Sequence, residues 1–546
     1  MITKRTFAGP GGMAPLALAL AVSQAQAFET VYLGDDTTLD ASVTLSYTAS
    51  ARTSSPSDVY LNDPNSDDAT RNFDRGHLIN NRVNALGEIR LRHDNVGALL
   101  RGSVFYDDVY RSSNDNDSLD TVNKVGPVNR FTDKTREISG YDPRLLDAFV
   151  YGNFVIGDDN YLSVKAGRHI VAWGESLFFP NISQGQLPVD AAVFNVPGTE
   201  AKEGYLPVGQ LSASLTLTDN LTLTGFYQYD WEKTRLNPVG DFFGSDYFGP
   251  GAQFLRFGAG EIASLPSPWV LNYAGEIKPS DSGQWGLGAR YLMGDSTEIG
   301  LFHYRYHDRV GALLMDFTGD TRYSSFSDFN GCTASVGGNA CYQLGYFDDI
   351  KLTGLSISSK VGDVQIGGDI SYRDGAPVYL DNGAPARGSY LQTNLNGVYI
   401  IGPSALAHQT TVMAEVVHSR IHDVEDLVVT GGLPGQAGTY NNYEYDGQTR
   451  DNAVLAAAVF MDYPNLFSGW DLTTKAIWTQ NIDGSGFAGA GLGRDEKRLT
   501  LGADFKYLGN MQMGLTWVNY LSSANLDKGR TMADRDYVSL SAKYTF

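Results

Sequence analysis

Long apolar runs are absent from this 546-residue chain after its first 27 residues. A helix needs about 20 consecutive apolar residues to cross a membrane, so the sequence excludes a helical membrane protein. Cysteine is scarce as well, since only Cys332 and Cys341 occur, with eight residues between them. In an exported protein, two close cysteines in a glycine-rich stretch predict one disulfide that closes a small loop. A zinc site is the alternative, but no further ligands lie beside them, so we expect no metal.

Positive charge is also in short supply. Lysine and arginine number 41 against 62 aspartates and glutamates, which gives a net charge of −21. Because phosphate contacts need clustered lysine and arginine, we expect no nucleic acid among the partners. The sequence lacks the G-x-S-x-G, H-E-x-x-H and G-x-x-x-x-G-K-[ST] motifs, which serve nucleophilic, zinc and phosphate chemistry. We therefore expect no enzyme and no cofactor.

Glycine and aromatic residues are what the chain has in abundance. It contains 61 Gly, 31 Tyr and 26 Phe, while its mean hydropathy is −0.23. Aromatic residues are enriched in strands, and glycine serves tight turns. The composition therefore predicts a β-rich chain.

The first 27 residues have the features of a secretory signal peptide. Lys4 and Arg5 form a basic start, residues 13–22 form a short apolar core, and Ala25-Gln26-Ala27 forms a cleavage site. The apolar core is about half as long as a membrane span. We expect residues 1–27 to be removed and residues 28–546 to form a single exported domain.

Beyond the signal peptide, the chain repeats segments in which apolar and polar side chains alternate. In residues 221–231, Leu221 and Leu223 lie on one face of the predicted strand, and Thr222 and Thr224 lie on the other. This period of two residues is typical of β-strands. About eighteen such segments follow one another along the chain, a count that is good to about two strands.

The connections between these segments alternate in length. Short turns rich in Gly, Asp and Asn, such as 93–95 and 218–220, alternate with long polar loops such as 111–143 and 309–348. That organisation is typical of outer-membrane barrels, in which the sheet closes on itself because lipid offers its edges no hydrogen-bond partners. We predict an all-β fold, a transmembrane antiparallel β-barrel of about 18 strands, with 16 as the alternative. Short turns would lie on the periplasmic side and long loops on the extracellular side.

The last ten residues carry a separate signal. Val538, Leu540 and Phe546 lie on one face of a final strand that ends in phenylalanine. A strand of this pattern resembles the C-terminal signal by which the barrel-assembly machinery recognises its substrates. We therefore expect that machinery and outer-membrane lipid as partners, and the outer membrane of a Gram-negative bacterium as the location.

Charged side chains on the parity opposite to the apolar face are predicted to line the lumen. These charges either pair with one another and stiffen the wall or form a permeation path that orients solutes. The sequence is compatible with both interpretations. The predicted lumen charges are Glu88, Arg90, Arg92, Arg101, Asp107, Asp147, Lys165, Arg290 and Arg305.

Two loops, 173–207 and 232–282, contain too many apolar residues to be solvated along their whole length. We expect them to fold into the lumen or to pack over its mouth as a plug or constriction. The alternative is that their aromatic residues only pack the loops against each other. The candidate constriction residues are Arg168, Trp173, Glu175, Asp190 and Glu203.

Several stretches resemble a known family. They are LLDAFVYG at 145–152, GRHIVAWGES at 167–176 and PGTEAKEGYLPV at 197–208, of which the block Trp173-Gly-Glu-Ser176 is the most specific. The sequence is similar to the Gram-negative family named only as domain of unknown function thirteen hundred and two. The resemblance implies an outer-membrane barrel. It also implies a periplasmic lipid-binding-like partner and an inner-membrane exporter, because members are often encoded beside such proteins.

The leading functional hypothesis is an outer-membrane channel or transporter for hydrophobic or amphipathic small molecules, either passive or coupled to those partners. Its basis is the barrel pattern together with the two apolar loops. An acidic, cation-preferring hydrophilic porin is the first alternative. An outer-membrane enzyme or adhesin is the second.

Overall fold

The structure, a computed structural model, describes residues 30–119, 123–157, 160–183, 185–257, 269–329, 331, 340–445, 447–485 and 492–546. The predicted signal peptide, residues 1–27, and Cys332 lie outside the described residues, while Cys341 is disulfide-bonded. Within the described ranges, no helix is both long and apolar enough to cross a membrane.

Eighteen antiparallel strands form a closed barrel, so the predicted fold and strand number are confirmed. Each strand pairs with the next along the chain, and the last strand pairs with the first, from Thr44 opposite Thr545 to Arg52 opposite Tyr537. The strands are β1 (Thr37–Arg52), β2 (Leu78–His93), β3 (Val96–Asp107), β4 (Tyr141–Ile156), β5 (Asn160–His169), β6 (Val208–Thr218), β7 (Leu221–Gln228), β8 (Gln284–Met293), β9 (Thr297–Tyr306), β10 (Ile350–Val361), β11 (Val364–Tyr379), β12 (Pro385–Ile401), β13 (Gln409–Val424), β14 (Asp451–Phe467), β15 (Trp470–Asp483), β16 (Lys497–Tyr507), β17 (Met511–Tyr520) and β18 (Tyr537–Thr545).

Alternation along each strand separates the lipid-facing surface from the lumen. On β10, Leu355 and Ile357 are exposed on the outer surface, whereas Ser356 between them is 3% exposed and points inward. Successive side chains of a strand point to opposite faces, so an apolar exterior and a polar interior need a period of two. This exterior gives the chain the architecture of an outer-membrane β-barrel.

The turns at one end of the barrel are short, and the loops at the other end are long. Asp94 (φ 47°), Gly294 (φ 65°) and Gly362 (φ 61°) provide the left-handed backbone that tight hairpin turns require. Outer-membrane barrels have their short turns on the periplasmic side, so this end is called periplasmic here and the other end extracellular. The strand Val31–Gly34 also lies at the periplasmic end and pairs with the start of β1.

Among the described residues, the extracellular loops contain most of the remaining secondary structure, and together they are called the extracellular cap here. One four-stranded sheet joins Phe254–Phe257, Trp269–Ile277, Ala312–Asp316 and Cys341–Gly345, and a three-stranded sheet joins Arg322–Tyr323, Leu427–Thr430 and Gly438–Tyr440. The short helices are Asp58–Leu61, Asp68–Arg71, Asp108–Arg111, Asp133–Ile138, Ala191–Phe194 and Ala201–Gly204.

The largest cluster of buried hydrophobic residues in the described part of the chain extends from the barrel interior into the extracellular loops. Trp173 and Ile182, from the loop between β5 and β6, pack with wall residues such as Phe302 and Leu352. Side chains that would otherwise line an open lumen are therefore buried by this loop.

Candidate functional site

The loop that connects β5 and β6, residues 170–207, enters the lumen and is called the plug loop here. Its first segment, residues 173–186, contacts strands β7 and β9 to β13. Its second segment, residues 188–205, contacts strands β1, β2, β4 and β18 on the other side of the barrel. The loop thus reaches across the barrel interior.

The first segment is held in place by Trp173, which is 5% exposed. Its ring stacks on Phe302 of β9, with centroids 5.2 Å apart and planes at 25°, and lies 5.1 Å from Phe226 of β7. Aromatic pairs at such distances add to the stabilisation that burial provides. Farther along the segment, Ile182 packs so close to Gly354 that a side chain at position 354 would clash with it.

Two buried carboxylates bind the backbone of the first segment. Asp369 of β11 accepts hydrogen bonds from the backbone N–H of Glu175 (2.9 Å) and from the hydroxyl of Ser176 (2.6 Å). Glu415 of β13 accepts from the backbone N–H groups of Phe178 and Phe179. Hydrogen bonds to ionised acceptors are about twice as strong as neutral ones. These carboxylates therefore fix the path of the plug loop.

A network of amides and one guanidinium completes this attachment. Asn181 donates to Asn394 Oδ1 over 3.0 Å and accepts a hydrogen bond from the hydroxyl of Ser371. Arg373, which is fully buried, donates to the backbone carbonyl of Asn181 over 2.8 Å. Buried polar groups need partners, so this network holds the plug loop in one conformation.

Asp190 is the centre of an ion-pair cluster at the start of the second segment. Its carboxylate lies 3.1 Å from both Arg144 of β4 and Arg235. It also accepts a hydrogen bond from the backbone N–H of Val193, and so caps the helix Ala191–Phe194. The predicted residue Asp190 thus orients the second segment against the wall.

The rest of the second segment makes fewer contacts with the wall. Glu203 accepts a hydrogen bond from Asn84 of β2 over 2.9 Å, and Glu200 pairs with Lys543 of β18 over 3.0 Å. Gly198 turns with φ +85° beside Ser541. A cavity remains between this segment and the wall, lined by Ser46, Thr48, Arg82, Asn84, Phe105, Arg144, Val193, Val196, Gly198, Thr199 and Glu203.

Charges line the lumen on β1 to β5 as paired rows. Arg101 lies 2.8 Å from Glu88 and 2.6 Å from Asp147, and Arg92 lies 2.7 Å from Asp40. Lys165 faces the same side, over the ring of Phe149. The structure also places Arg90, Asp107 and Arg290 on the inward face, where they pair with Glu88, Arg82 and Glu298.

Two predicted residues lie elsewhere. Arg305 was predicted to face the lumen, but it shares the outward face of β9 with Leu301, which is 57% exposed, and it pairs with Asp349. That prediction is wrong, because Phe302 and Tyr304 are the inward residues and pack against the plug loop. Arg168 also lies on the outward parity of β5, where it pairs with Asp230 over 3.1 Å, and it takes no part in the constriction.

The alternation of apolar and polar residues places Asp369, Arg373 and Glu415 on the inward face of their strands, but it does not predict that they attach the plug loop. Asn181 carries no such signal, because an uncharged amide in a loop is common. Glu175 contributes its backbone N–H and carbonyl to the attachment, to Asp369 and Asn396 respectively.

Comparison with solved structures returns outer-membrane proteins of very low sequence identity. OccAB1 of Acinetobacter baumannii has a TM-score of 0.44 at 10% identity, and the match covers 95% of this chain and 98% of that one. A BenF-like porin of Pseudomonas fluorescens Pf-5 has a TM-score of 0.40 at 11% identity, covering 93% and 98%. OpdK of Pseudomonas aeruginosa, solved with vanillate, has a TM-score of 0.40 at 10% identity, covering 93% and 98%.

No curated protein matches the chain at a significant level. A family model, by contrast, matches residues 8–546, which is nearly the whole sequence. The family is described as a protein of unknown function, DUF1302. The chain, an eighteen-stranded barrel with a plug loop across its lumen, therefore belongs to the DUF1302 family.

Proposed function

We propose that this barrel is an outer-membrane channel for hydrophobic or amphipathic small molecules, and that movement of the second plug segment opens it. The observation that carries this proposal is the asymmetry of the plug loop. Its first segment is attached through a buried aromatic cluster and two buried carboxylates. Its second segment lies beside a cavity and, apart from the buried Ala192, Val193 and Val196, is held by polar contacts along its length.

That cavity has a volume of about 20 Å³, so a solute enters it only if the segment moves, and its lining would then suit an amphipathic solute. Phe105, Val193 and Val196 provide apolar surface, while Arg82 and Arg144 provide charge within the same cavity. Ligand sites usually combine apolar walls with a few polar groups that orient the ligand. A solute with an apolar body and one polar end would match both kinds of lining when the segment moves.

A non-enzymatic role fits the way the buried acids are used. Asp369 and Glu415 accept hydrogen bonds from backbone N–H groups of the plug loop, and Asp190 pairs with two arginines. These carboxylates are thus engaged in holding the loop. We infer that their function is structural attachment.

A disulfide between the second plug segment and strand β18 tests the proposal. A Cβ at position 198 would lie 3.1 Å from the Cβ of Ser541, and a disulfide needs about 3.5–4.5 Å, which a small shift supplies. We expect the oxidised Gly198→Cys/Ser541→Cys barrel, reconstituted in liposomes, to take up a dansylated fatty acid at least tenfold more slowly than wild type. Reduction should restore the rate.

The controls are the two single-cysteine variants and reduced wild type, in which the disulfide of Cys341 is also opened. All three should transport the probe at the wild-type rate. Equal uptake by the oxidised and reduced double variant would contradict movement of the second segment. Absence of uptake by wild type, with and without periplasmic extract, would contradict the channel itself.

We also propose coupling to a periplasmic lipid-binding-like protein, and through it to an inner-membrane exporter. The periplasmic turns differ in polarity from one part of the rim to another. The turns after β12 and β16 expose Leu406 (73%) and Leu508 (71%), and the end of β14 exposes Phe467 (62%). The turns after β6 and β8 contain Asp219 and Asp295 instead. The three exposed apolar residues are called the apolar arc here, and the turns with Asp219 and Asp295 are called the acidic arc. Together they would suit a partner whose apolar patch has basic residues at its edge.

Photo-crosslinking tests this coupling. A crosslinking residue at position 508 should capture a periplasmic protein in cells, whereas one at position 295, on the acidic arc, should capture it far less. Leu508→Asp should abolish capture from a crosslinker at position 467 without changing barrel assembly. If capture from position 467 survives Leu508→Asp, the apolar arc is not the docking surface.

A further inference from the structure

Three metal-ligating side chains meet on the extracellular side, outside the lumen. Asp74 and His77 belong to the loop between β1 and β2, and Asp115 belongs to the loop between β3 and β4. One ligand atom from each of the three lies within 4.8 Å of the other two. Two ligand atoms on one metal ion, with bonds to N and O of about 2.0–2.2 Å, lie at most about 4.4 Å apart, so a small side-chain shift would allow all three to bind the same ion.

The backbones of both loops hold these side chains in position. Asp115 Oδ2 lies 2.6 Å from His77 Nδ1 and accepts a hydrogen bond from the backbone N–H of Asp74 over 3.0 Å. The backbone N–H of Asp115 donates to the carbonyl of Asn72 over 3.2 Å. Gly76, with φ +86°, forms the turn between Asp74 and His77. The three ligands are therefore brought together by one side-chain contact and by backbone hydrogen bonds that need no ion.

The side chains are also accessible to an ion. The Asp74 carboxylate has no hydrogen-bond or ion-pair partner in the part of the chain that the structure describes. His77 is 49% exposed and Asp115 is 16% exposed. A cleft lined in part by His77, Asn81 and Asp115 adjoins the cluster, and leaves room for water as a further ligand.

We propose that Asp74, His77 and Asp115 bind one Zn²⁺ or similar transition-metal ion. One imidazole nitrogen with two carboxylate oxygens suits Zn²⁺ or Mn²⁺, while Ca²⁺ prefers ligands that are all oxygen. The two carboxylates match the charge of the ion. The bound ion joins the first two extracellular loops and holds them together beside the mouth of the barrel.

Titration of the full-length barrel in detergent, without a histidine tag, tests the site. With ZnCl₂ we expect one ion per barrel, weaker binding of MnCl₂ and no saturable binding of CaCl₂. His77→Ala and Asp115→Asn should each weaken Zn²⁺ binding at least tenfold. Hydrogen exchange in residues 72–77 and 112–116 should slow when Zn²⁺ is added.

His93 provides the matched control, because it is an exposed histidine 4.0 Å from Asp94 on a periplasmic turn. His93→Ala should bind Zn²⁺ like wild type. Asp74→Asn is the variant least expected to disturb folding, since the Asp74 carboxylate makes no hydrogen bond to a described residue, and it too should lose binding. Zn²⁺ binding that survives Asp74→Asn and His77→Ala, or that disappears in His93→Ala, would overturn the site.

Discussion

At the scale of single residues, Asp369 shows how a lumen carboxylate can serve attachment. It is 1% exposed and accepts hydrogen bonds from two backbone N–H groups and one hydroxyl of the plug loop. Gly174 makes this approach possible, because it has φ +98° and a Cβ there would lie 2.6 Å from Asp369 Oδ2. The close approach of Asp369 to the plug loop therefore requires a glycine at position 174.

Asp369→Asn should loosen the first plug segment. An amide keeps one acceptor oxygen and places N–H donors where the backbone also donates, so we expect a loss of about 2–3 kcal/mol in the attachment of the loop. Limited proteolysis within residues 173–186 should become at least tenfold faster. Asp504→Asn is the control, because Asp504 is a half-exposed lumen carboxylate whose ion-pair partner among the described residues is Lys475. Equal proteolysis of the two variants would contradict this role for Asp369.

At the scale of elements, the strands could be predicted from the sequence and the plug loop could not. Lipid outside and polar groups inside impose a period of two on every strand, and that pattern is local. The contacts of Asn181 with β11 and β12 depend on the course of a loop across the barrel, and no local pattern encodes that course. The prediction for Arg305 failed for the same reason, since the plug loop makes the inward face of β9 apolar at Phe302 and Tyr304.

We expect the stability of the extracellular cap to depend on pH at the helix Asp68–Arg71. Asp68 and Asp246 are buried together, and the Asp246 carboxylate accepts from the backbone N–H of Asp68 over 2.8 Å. Burial, together with the charge of Asp67, raises the pKa of Asp68 to about 6. Burial also raises the pKa of Asp246, while the opposing charges nearby are Lys124 and Arg256.

A raised pKa in the folded state means that the protonated carboxyl stabilises the cap, and that this contribution is lost as the pH rises through about 6. Hydrogen exchange in residues 65–71 should therefore be slower at pH 5 than at pH 7.5, after correction for the intrinsic rate. Asp68→Asn should reduce that difference. An exchange rate that is independent of pH in wild type would contradict the raised pKa.

At the scale of the whole molecule, the net charge of the chain and the charge of the lumen wall around Arg101 differ in sign. The net charge is −21. The charges around Arg101 on the lumen wall of β1 to β5, however, are four cations, Arg90, Arg92, Arg101 and Lys165, and three anions, Asp40, Glu88 and Asp147. Permeating ions respond mainly to the nearest charges, because salt screens charges more than about 8–10 Å away. The acidic composition therefore gives no reason to expect a cation-preferring pore.

Ion selectivity tests this distribution directly. In planar bilayers with a tenfold KCl gradient, we expect the reversal potential of the open barrel to show no preference for K⁺. Lys165→Glu changes the sum of the charges around Arg101 from +1 to −1 and should shift the reversal potential towards K⁺. The Lys165 side chain is exposed to the lumen and makes no direct ion pair with a described residue. Lys278→Glu is the control, because it changes the net charge equally but lies in an extracellular loop. Strong K⁺ selectivity in wild type, or equal shifts in both variants, would show that the total charge controls permeation.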